Sequence, residues 1–277
     1  MIQKKHTNNF LADDYNEISA KKASLNKTKI LLAEDDELNR FIVDNILKRQ
    51  NIELTTVKNG LEAVAVLKTE SFDLILMDIQ MPKMNGIEAT YIIRNELKMQ
   101  IPIIALTSNT LGYQKDEVMQ VGMNGFLTKP FKEIELINLI TKYYNHIPEK
   151  VNTKLILTKE TAKSKLLYNL EKLEELSKGN IDFVKKMCKL FVKITPDYLT
   201  QINDFYHQRN ISGLKKLIHK MKPSIDYMGI NSLKQIIRDL EHLSDDKYAL
   251  ENLKSLVENT ISILTEVVLQ IRKKELS

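Results

Sequence analysis

The 277-residue sequence has one cysteine and no tryptophan, and it is thin in glycine (8) and proline (6). A single thiol, Cys188, excludes an internal disulfide; it falls on the apolar stripe of a helical segment, as a small buried hydrophobe does. No apolar run approaches the roughly 18 residues that a membrane span requires. The opening stretch MIQKKHTNNFLADDYNE has basic residues with no apolar block behind them, so no secretory signal is expected. These absences lead to the expectation of a cytoplasmic protein with no membrane partner. Strong charge of one sign is also lacking. Residues 151–277 carry 22 Lys+Arg against 16 Asp+Glu, leaving 19 of the 41 basic and 20 of the 36 acidic residues for 1–150. The lysines are scattered over helices and not gathered in one patch, so no nucleic-acid partner is expected.

What is present divides into two periodicities. From residue 29, short apolar runs alternate with amphipathic stretches. KILLA (29–33), LTTV (54–57), FDLILM (72–77), PIIAL (102–106) and GFLT (125–128) read as five strands. Helices are expected near 38–50, 60–69, 86–97, 113–121 and 133–145. Apolar runs without alternation suit strands covered on both faces, and five such βα units predict an α/β, doubly wound five-stranded parallel sheet. After Pro148 the period becomes helical. One stripe runs Phe183, Met187, Leu190, Ile194, Tyr198, Ile202, Phe205; another Leu214, Leu217, Met221, Ile225, Met228; a third Leu253, Val257, Leu264, Val268, Ile271. With a shorter helix around 232–243, these predict an all-α four-helix bundle whose stripes are core. Residues 1–27 are a polar lead-in with a helix expected near 12–22; 28–147 form the first domain, 148–162 a linker and 163–277 the second domain.

In a parallel α/β sheet, ligands bind beyond the carboxyl ends of the strands. Glu34 and Asp35 follow the first strand, Asp78 ends the third, Thr107 the fourth and Lys129 the fifth. A carboxylate after a strand often only caps the next helix, which is the expectation for Asp36. Three carboxylates, a hydroxyl and an ammonium on different strand ends exceed capping. Three carboxyl groups suit a hard divalent cation such as Mg²⁺, which keeps waters and takes phosphate oxygens. One carboxylate can attack a phosphoryl group and form an acyl phosphate, while cation, hydroxyl and lysine neutralise the transferring group.

On these residues, 28–147 resembles the receiver domain of two-component response regulators, a flavodoxin-like fold. LLAEDDELNR, DLILMDIQMPKMNG, IIALTSNT and GFLTKPF match that family's motifs in order. The resemblance implies that Asp78 accepts phosphate and that Glu34, Asp35, Asp78 and the Gln80 backbone carbonyl hold Mg²⁺. It implies phosphoryl contacts from Thr107 and Lys129, a switch formed by Thr107 and Phe126, and a cis Lys129–Pro130 peptide. By the same resemblance, Gln80 and Asn109 lie at positions that tune acyl phosphate lifetime.

In the second half, LKKLIHKMKPSIDYMG (214–229) places His219 about 160° from the centre of its helix's apolar stripe, facing solvent with Lys215, Lys222, Pro223 and Asp226 around it. An exposed imidazole can attack an acyl phosphate, with Lys222 steadying the phosphoryl oxygens and Lys215 adding field. Residues 160–275 resemble a histidine-containing phosphotransfer domain. By that resemblance His219 is the phosphoacceptor, Lys222 its partner, and Gly229 stands at the family's later small residue. Pro223 is a departure, since glycine is commoner there; it is expected to free the His219 carbonyl, bend the helix and keep the histidine approachable.

The expected function is a phosphorelay intermediate and not an enzyme, since nothing resembles an ATP-binding kinase domain. A sensor histidine kinase and a downstream response regulator receiver are the expected partners. A Mg²⁺-dependent phosphohydrolase, and a non-relaying interaction protein or phosphate sink, stand as alternatives.

Overall fold

The computed structural model describes residue 25 and residues 28–108, 113–144, 166–243 and 247–276. The linker, Asn109 and, apart from residue 25, the lead-in lie outside them. The chain divides into two compact units, Met1–Thr153 and Lys154–Ser277.

The first unit alternates strands and helices: β1 Lys29–Ala33, α1 Glu37–Lys48, β2 Glu53–Val57, α2 Gly60–Leu67, β3 Leu74–Asp78, α3 Gly86–Asn95, β4 Ile103–Thr107, α4 Tyr113–Gln120, β5 Gly125–Thr128 and α5 Glu133–Tyr144. All strand pairs are parallel, in the order β2-β1-β3-β4-β5. The five expected strands are present, each within two residues of its sequence-based bounds. β3 and β4 are buried along their whole length, which is why their sequences are uninterrupted Leu, Ile, Ala and Met up to the final polar residue. On one face Leu31, Ala33, Ile75, Met77, Ile103 and Ala105 pack with Ala63, Leu67, Ala89 and Ile93 of α2 and α3. Burying each large aliphatic side chain contributes about 1.5–3 kcal/mol.

Helix starts are set by side-chain caps. Asp36 caps α1 by accepting from the Asn39 N–H, as expected, and Asn85 and Glu88 form a reciprocal capping box on α3. Away from the strand ends that carry the carboxylates, Arg94 ties α3 to the loops before β4 and β5. Its guanidinium donates to the carbonyls of Gly122, Met99 and Ile101 and to Asn124 Oδ1 at 2.7–3.1 Å.

The second unit is helical: α6 Glu171–Ser177, α7 Ile181–His207, α8 Ile211–Tyr227, a 3₁₀ turn Asn231–Leu233, α9 Lys234–Glu241 and α10 Lys247–Lys274. Two of the predicted stripes are core: Leu214, Leu217, Met221, Ile225 and Met228 are all buried, as are Leu253, Val257, Leu264, Val268 and Ile271; of the stripe expected on α7 only Phe183, Met187 and Ile202 are buried, Leu190, Ile194, Tyr198 and Phe205 are half-buried, and Phe191, Val192 and Thr195 are buried in their stead. α7 packs against α6, α8 and α10, and α9 packs on α8 and α10. Cys188 is buried, and burial pushes its thiol up to about 12. Among the described residues no helix is long and apolar enough to cross a membrane.

Candidate functional site

In the first unit the parallel register places Ala33 beside Met77 and Asp78 beside Leu106, so the residues following β1 and ending β3 meet at one edge. There the carboxylates of Glu34, Asp35 and Asp78 offer oxygens that all lie within 4.8 Å of one another. β5 brings Lys129 into the same place: its Nζ is 2.8 Å from Glu34 Oε2 and 2.9 Å from Asp78 Oδ2. Glu34 is fully buried. Its second oxygen accepts from Asn39 Nδ2 at 3.1 Å and faces the Asp36 N–H at 3.3 Å, and its backbone carbonyl accepts from Arg40 at 2.6 Å. Thr107 is buried at the end of β4, and its carbonyl accepts from the Lys129 N–H. The Gln80 N–H turns back to Asp78 Oδ1 at 3.3 Å, while the Gln80 side chain is exposed. The Lys129–Pro130 peptide is cis. Phe126 is among the exposed large hydrophobic residues and not in the core.

The electrostatics of this cluster are unbalanced. Burial, and then the neighbouring charge of Glu34, push the Asp78 carboxyl well above the usual carboxylate range; Lys129 opposes this only in part. Burial works against the Lys129 ammonium, but the charges of Asp78 and Glu34 outweigh it and raise its pKa. Three carboxylates facing one ammonium leave negative charge that a hard divalent cation with oxygen ligands would neutralise, so the donor set fits Mg²⁺.

The backbone around Asp78 is tight. Gly86, the first residue of α3, lies so close that a Cβ there would collide with the Asp78 carbonyl oxygen, and the Gly86 N–H donates to the Ile79 carbonyl at 2.9 Å.

The second unit departs from expectation around His219. The side chain does not face open solvent: it is 16% exposed, because α9 crosses the polar side of α8. Glu241, the last residue of α9, places Oε1 3.0 Å from His219 Nδ1 and Oε2 2.9 Å from Lys222 Nζ. Burial acts to raise the Glu241 carboxyl, but the hydrogen bonds and charges of His219 and Lys222 outweigh it and hold it below its ordinary range. A helical wheel of α8 alone carries no information on what packs against its polar side. Sequence reasoning missed Glu241. Its signal is faint: an acid at the margin of the Leu233, Ile237, Leu240 stripe, in a helix too short for that margin to stand out.

Two further expectations are corrected. Pro223 is buried, and α8 runs unbroken through it to Tyr227, so it is not a bend on an open face. Gly229 does not adjoin the imidazole; it lies ten residues, about 15 Å of helix rise, beyond it. Its φ of +60° and a collision of any Cβ with the Asn169 carbonyl explain why glycine stands there. Lys215 lies one turn before His219 on α8 and is partly exposed.

Residues 30–141 match the response regulator receiver domain family. The chain is 28% identical over 224 residues to the sensor protein GacS of Pseudomonas syringae pv. syringae, covering 78% of this chain and 24% of GacS. Among solved structures, the receiver domain of sensor histidine kinase PA1611 from Pseudomonas aeruginosa PAO1 was determined with a magnesium ion in its active-site cleft. It is 36% identical, with 43% of this chain and 98% of that one covered and a TM-score of 0.41. The co-crystal structure of the Saccharomyces cerevisiae histidine phosphotransfer protein Ypd1 with the receiver domain of its downstream regulator Ssk1 matches at 32% identity. It covers 44% of this chain and 91% of that one, with a TM-score of 0.42. The chain spans about a quarter of the length of the curated relatives it matches.

Proposed function

We propose, on the premise that residues 30–141 belong to the response regulator receiver domain family, that the chain carries phosphoryl groups in a relay, on Asp78 and on His219. Membership of that family puts the chain in two-component signalling. In this reading the first unit receives a phosphoryl group from a sensor histidine kinase. The second unit is a histidine phosphotransfer domain built as a four-helix bundle, which exchanges the group with a receiver, its own or another's. The chain transfers phosphoryl groups and does not turn over a substrate as an enzyme.

The observation that carries the reading is the cluster of Glu34, Asp35 and Asp78 against one buried lysine. Asp78 Oδ1 attacks phosphorus of a phosphohistidine donor; the P–N bond breaks as the P–O bond of an acyl phosphate forms. Lys129 already holds Asp78 Oδ2 and supplies fixed positive charge, and Thr107, at the end of β4, would donate its hydroxyl to a phosphoryl oxygen. Glu34, Asp35, Asp78 and the Gln80 carbonyl would hold Mg²⁺, which when bound neutralises phosphate oxygens. Phe126, exposed on β5, would report the state of the site to a partner.

For the second unit, support comes from a half-buried histidine paired with a carboxylate and followed one turn later by a lysine. The alignment with GacS is also longer than the receiver match.

The test is labelling with acetyl phosphate and Mg²⁺, comparing wild type, Asp78→Asn and His219→Gln. Alkali-labile label that disappears in Asp78→Asn is expected for the acyl phosphate. Acid-labile, alkali-stable label requiring both residues is expected for an internal relay. Label that survives Asp78→Asn unchanged sinks the assignment of Asp78, and phosphotransfer to a partner receiver that survives His219→Gln sinks that of His219.

A further inference from the structure

Asn39 is the polar exception on the buried side of α1. Leu38, Ile42, Val43, Ile46 and Leu47 share that side with it, and Asn39 is only 4% exposed. An apolar residue would be satisfied there, and an amide is not. Its Nδ2 donates to Glu34 Oε1 at 3.1 Å, but its Oδ1 is enclosed with no hydrogen-bond partner among the described residues. Turning the amide over brings no relief, because Oδ1 would then face a carboxylate oxygen and both groups only accept. A side chain in such conflict with its local setting marks a functional position, and the question becomes what it touches.

It touches Glu34, whose carboxylate is held on both oxygens. Oε2 accepts from Lys129 Nζ at 2.8 Å. That one bond leaves the carboxylate free to turn about its Cγ–Cδ axis, and Lys129 is shared with Asp78. On Oε1 the Asp36 N–H stands at 3.3 Å, long for a hydrogen bond, so Asn39 Nδ2 is the closer donor. The place of Asn39 is set in turn by the helix start. Its own N–H donates to the Asp36 cap at 2.9 Å. One residue thus grips, by main chain and side chain, the two acids on either side of Asp35.

We propose that Asn39 is the positioning residue of the cation site: its amide fixes the Glu34 carboxylate in place and so sets how tightly the site takes Mg²⁺. The inference rests on the reading above that Glu34, Asp35 and Asp78 serve a divalent cation. A buried carboxylate that is already oriented does not have to be ordered when the cation arrives. Outer partners that orient the groups around a metal typically carry about 10- to 100-fold in affinity. The enclosed, unpartnered Oδ1 is what this placement costs the fold. Asn39 has no contact of its own with the phosphoryl group in this scheme, and it acts through Glu34 alone.

The test is a Mg²⁺ titration of the full chain with no phosphoryl donor present, followed by the ¹H–¹⁵N signals of the Asp35, Asp78 and Gln80 amides. Asn39→Leu removes both amide atoms and puts an apolar side chain of similar size on the apolar side of α1. It should weaken Mg²⁺ by about 10- to 100-fold. Protection of α1 and β1 amides in the cation-free protein should stay within about tenfold of wild type, because the loss of a donor to Glu34 is offset by the loss of the stranded oxygen. Asn39→Ala, which cannot overfill the site, is the second variant and should weaken Mg²⁺ alike.

A double-mutant cycle separates this role from a general loosening of the site. With Glu34→Gln already in place, adding Asn39→Leu should change the Mg²⁺ affinity by less than about twofold, since the group through which Asn39 acts has lost its charge. Equal weakening in both backgrounds overturns action through Glu34. Affinity unchanged or tighter in both Asn39 variants overturns the role of Asn39 and leaves the cation site standing. A wild-type chain whose strand-end amides do not respond to Mg²⁺ overturns the cation reading, and the inference with it.

Discussion

Replacing Lys129 by methionine tests the charge balance of the receiver site directly. Lys129 is 6% exposed, and its Nζ contacts both Glu34 and Asp78 within 2.9 Å. Methionine fills most of the same volume, so the lost quantity is the ammonium and not the packing. Removing one partner of a buried ion pair costs about 3–5 kcal/mol, because the charge left behind has no compensation. The first unit offers one relief: Asp78, whose carboxyl is already raised by burial and by Glu34, can take up a proton. A carboxyl with a folded-state pKa above its unfolded value binds more protons in the folded state, so its contribution to stability is lost as pH rises through the folded pKa. The Lys129→Met deficit should therefore be largest at pH 8 and shrink on acidification by up to about 1.4 kcal/mol per pH unit per extra proton bound. Because the chain has two units, a single unfolding transition is not assured, and hydrogen exchange read on β1 and β3 peptides is the suitable assay. A loss of about 3–5 kcal/mol corresponds to exchange faster by roughly 10²- to 10⁴-fold. Exchange within tenfold of wild type at pH 8, or a deficit that does not change with pH, would refute the claim that Lys129 compensates buried negative charge.

Other expectations concern single contacts. Mg²⁺ should slow exchange at the ends of β1 and β3 saturably, by about 2.7 kcal/mol at a hundred times the dissociation constant; Asp35→Asn should weaken the effect, and a chelator should reverse it. Arg94→Met should destabilise the first unit by about 2–4 kcal/mol in denaturant titrations, through the carbonyls of Met99, Ile101 and Gly122, while leaving acetyl phosphate labelling of folded protein intact. Gly229→Ala should cost the second unit at least about 1–2 kcal/mol from its left-handed backbone alone, with the collision at Asn169 adding to it; exchange on α8 peptides measures this. Glu241 has a lowered carboxyl, so it contributes stability above its unfolded pKa and loses it as pH falls through the folded value. Acidification below about pH 4.5 should therefore cost α8 protection in wild type more than in Glu241→Gln.

The sheet was legible because burial on both faces forces uninterrupted apolar runs, which is why KILLA marks its strand to the residue; GFLT also matches its strand, although β5 is an edge strand and only partly buried. The strand-end carboxylates followed from the same logic, since a parallel sheet brings those ends to one edge whatever the loops do. Asp36 was separable from Glu34 and Asp35 because a cap is a local relation, read three residues ahead at Asn39. The support that Asn39 gives Glu34 was not legible, because it comes from a polar side chain on the helix's buried face, where the pattern calls for apolar residues. In the second unit the core stripes on α8 and α10 were visible and that on α7 only in part, but the surroundings of His219 were not. Those surroundings depend on a crossing between α8 and α9, and helical periodicity records each helix's own apolar side without recording its neighbour. Pro223 misled for the same reason. Its chemistry within α8 is unchanged, but the side it lies on is covered.

The close approach of Gly86 to Asp78 has a consequence for how such a chain diversifies. Asp78 is held from below by the sheet register and from above by the main chain at the start of α3. Neither hold involves the side chains of Gln80 or Lys83, which stand on the intervening loop. In the proposed relay, substitutions there would change what a docking partner meets without shifting the Asp78 carboxylate. Recognition and chemistry are thereby placed under separate control within eight residues of chain, and position 86 is the joint that has to stay glycine for that separation to hold.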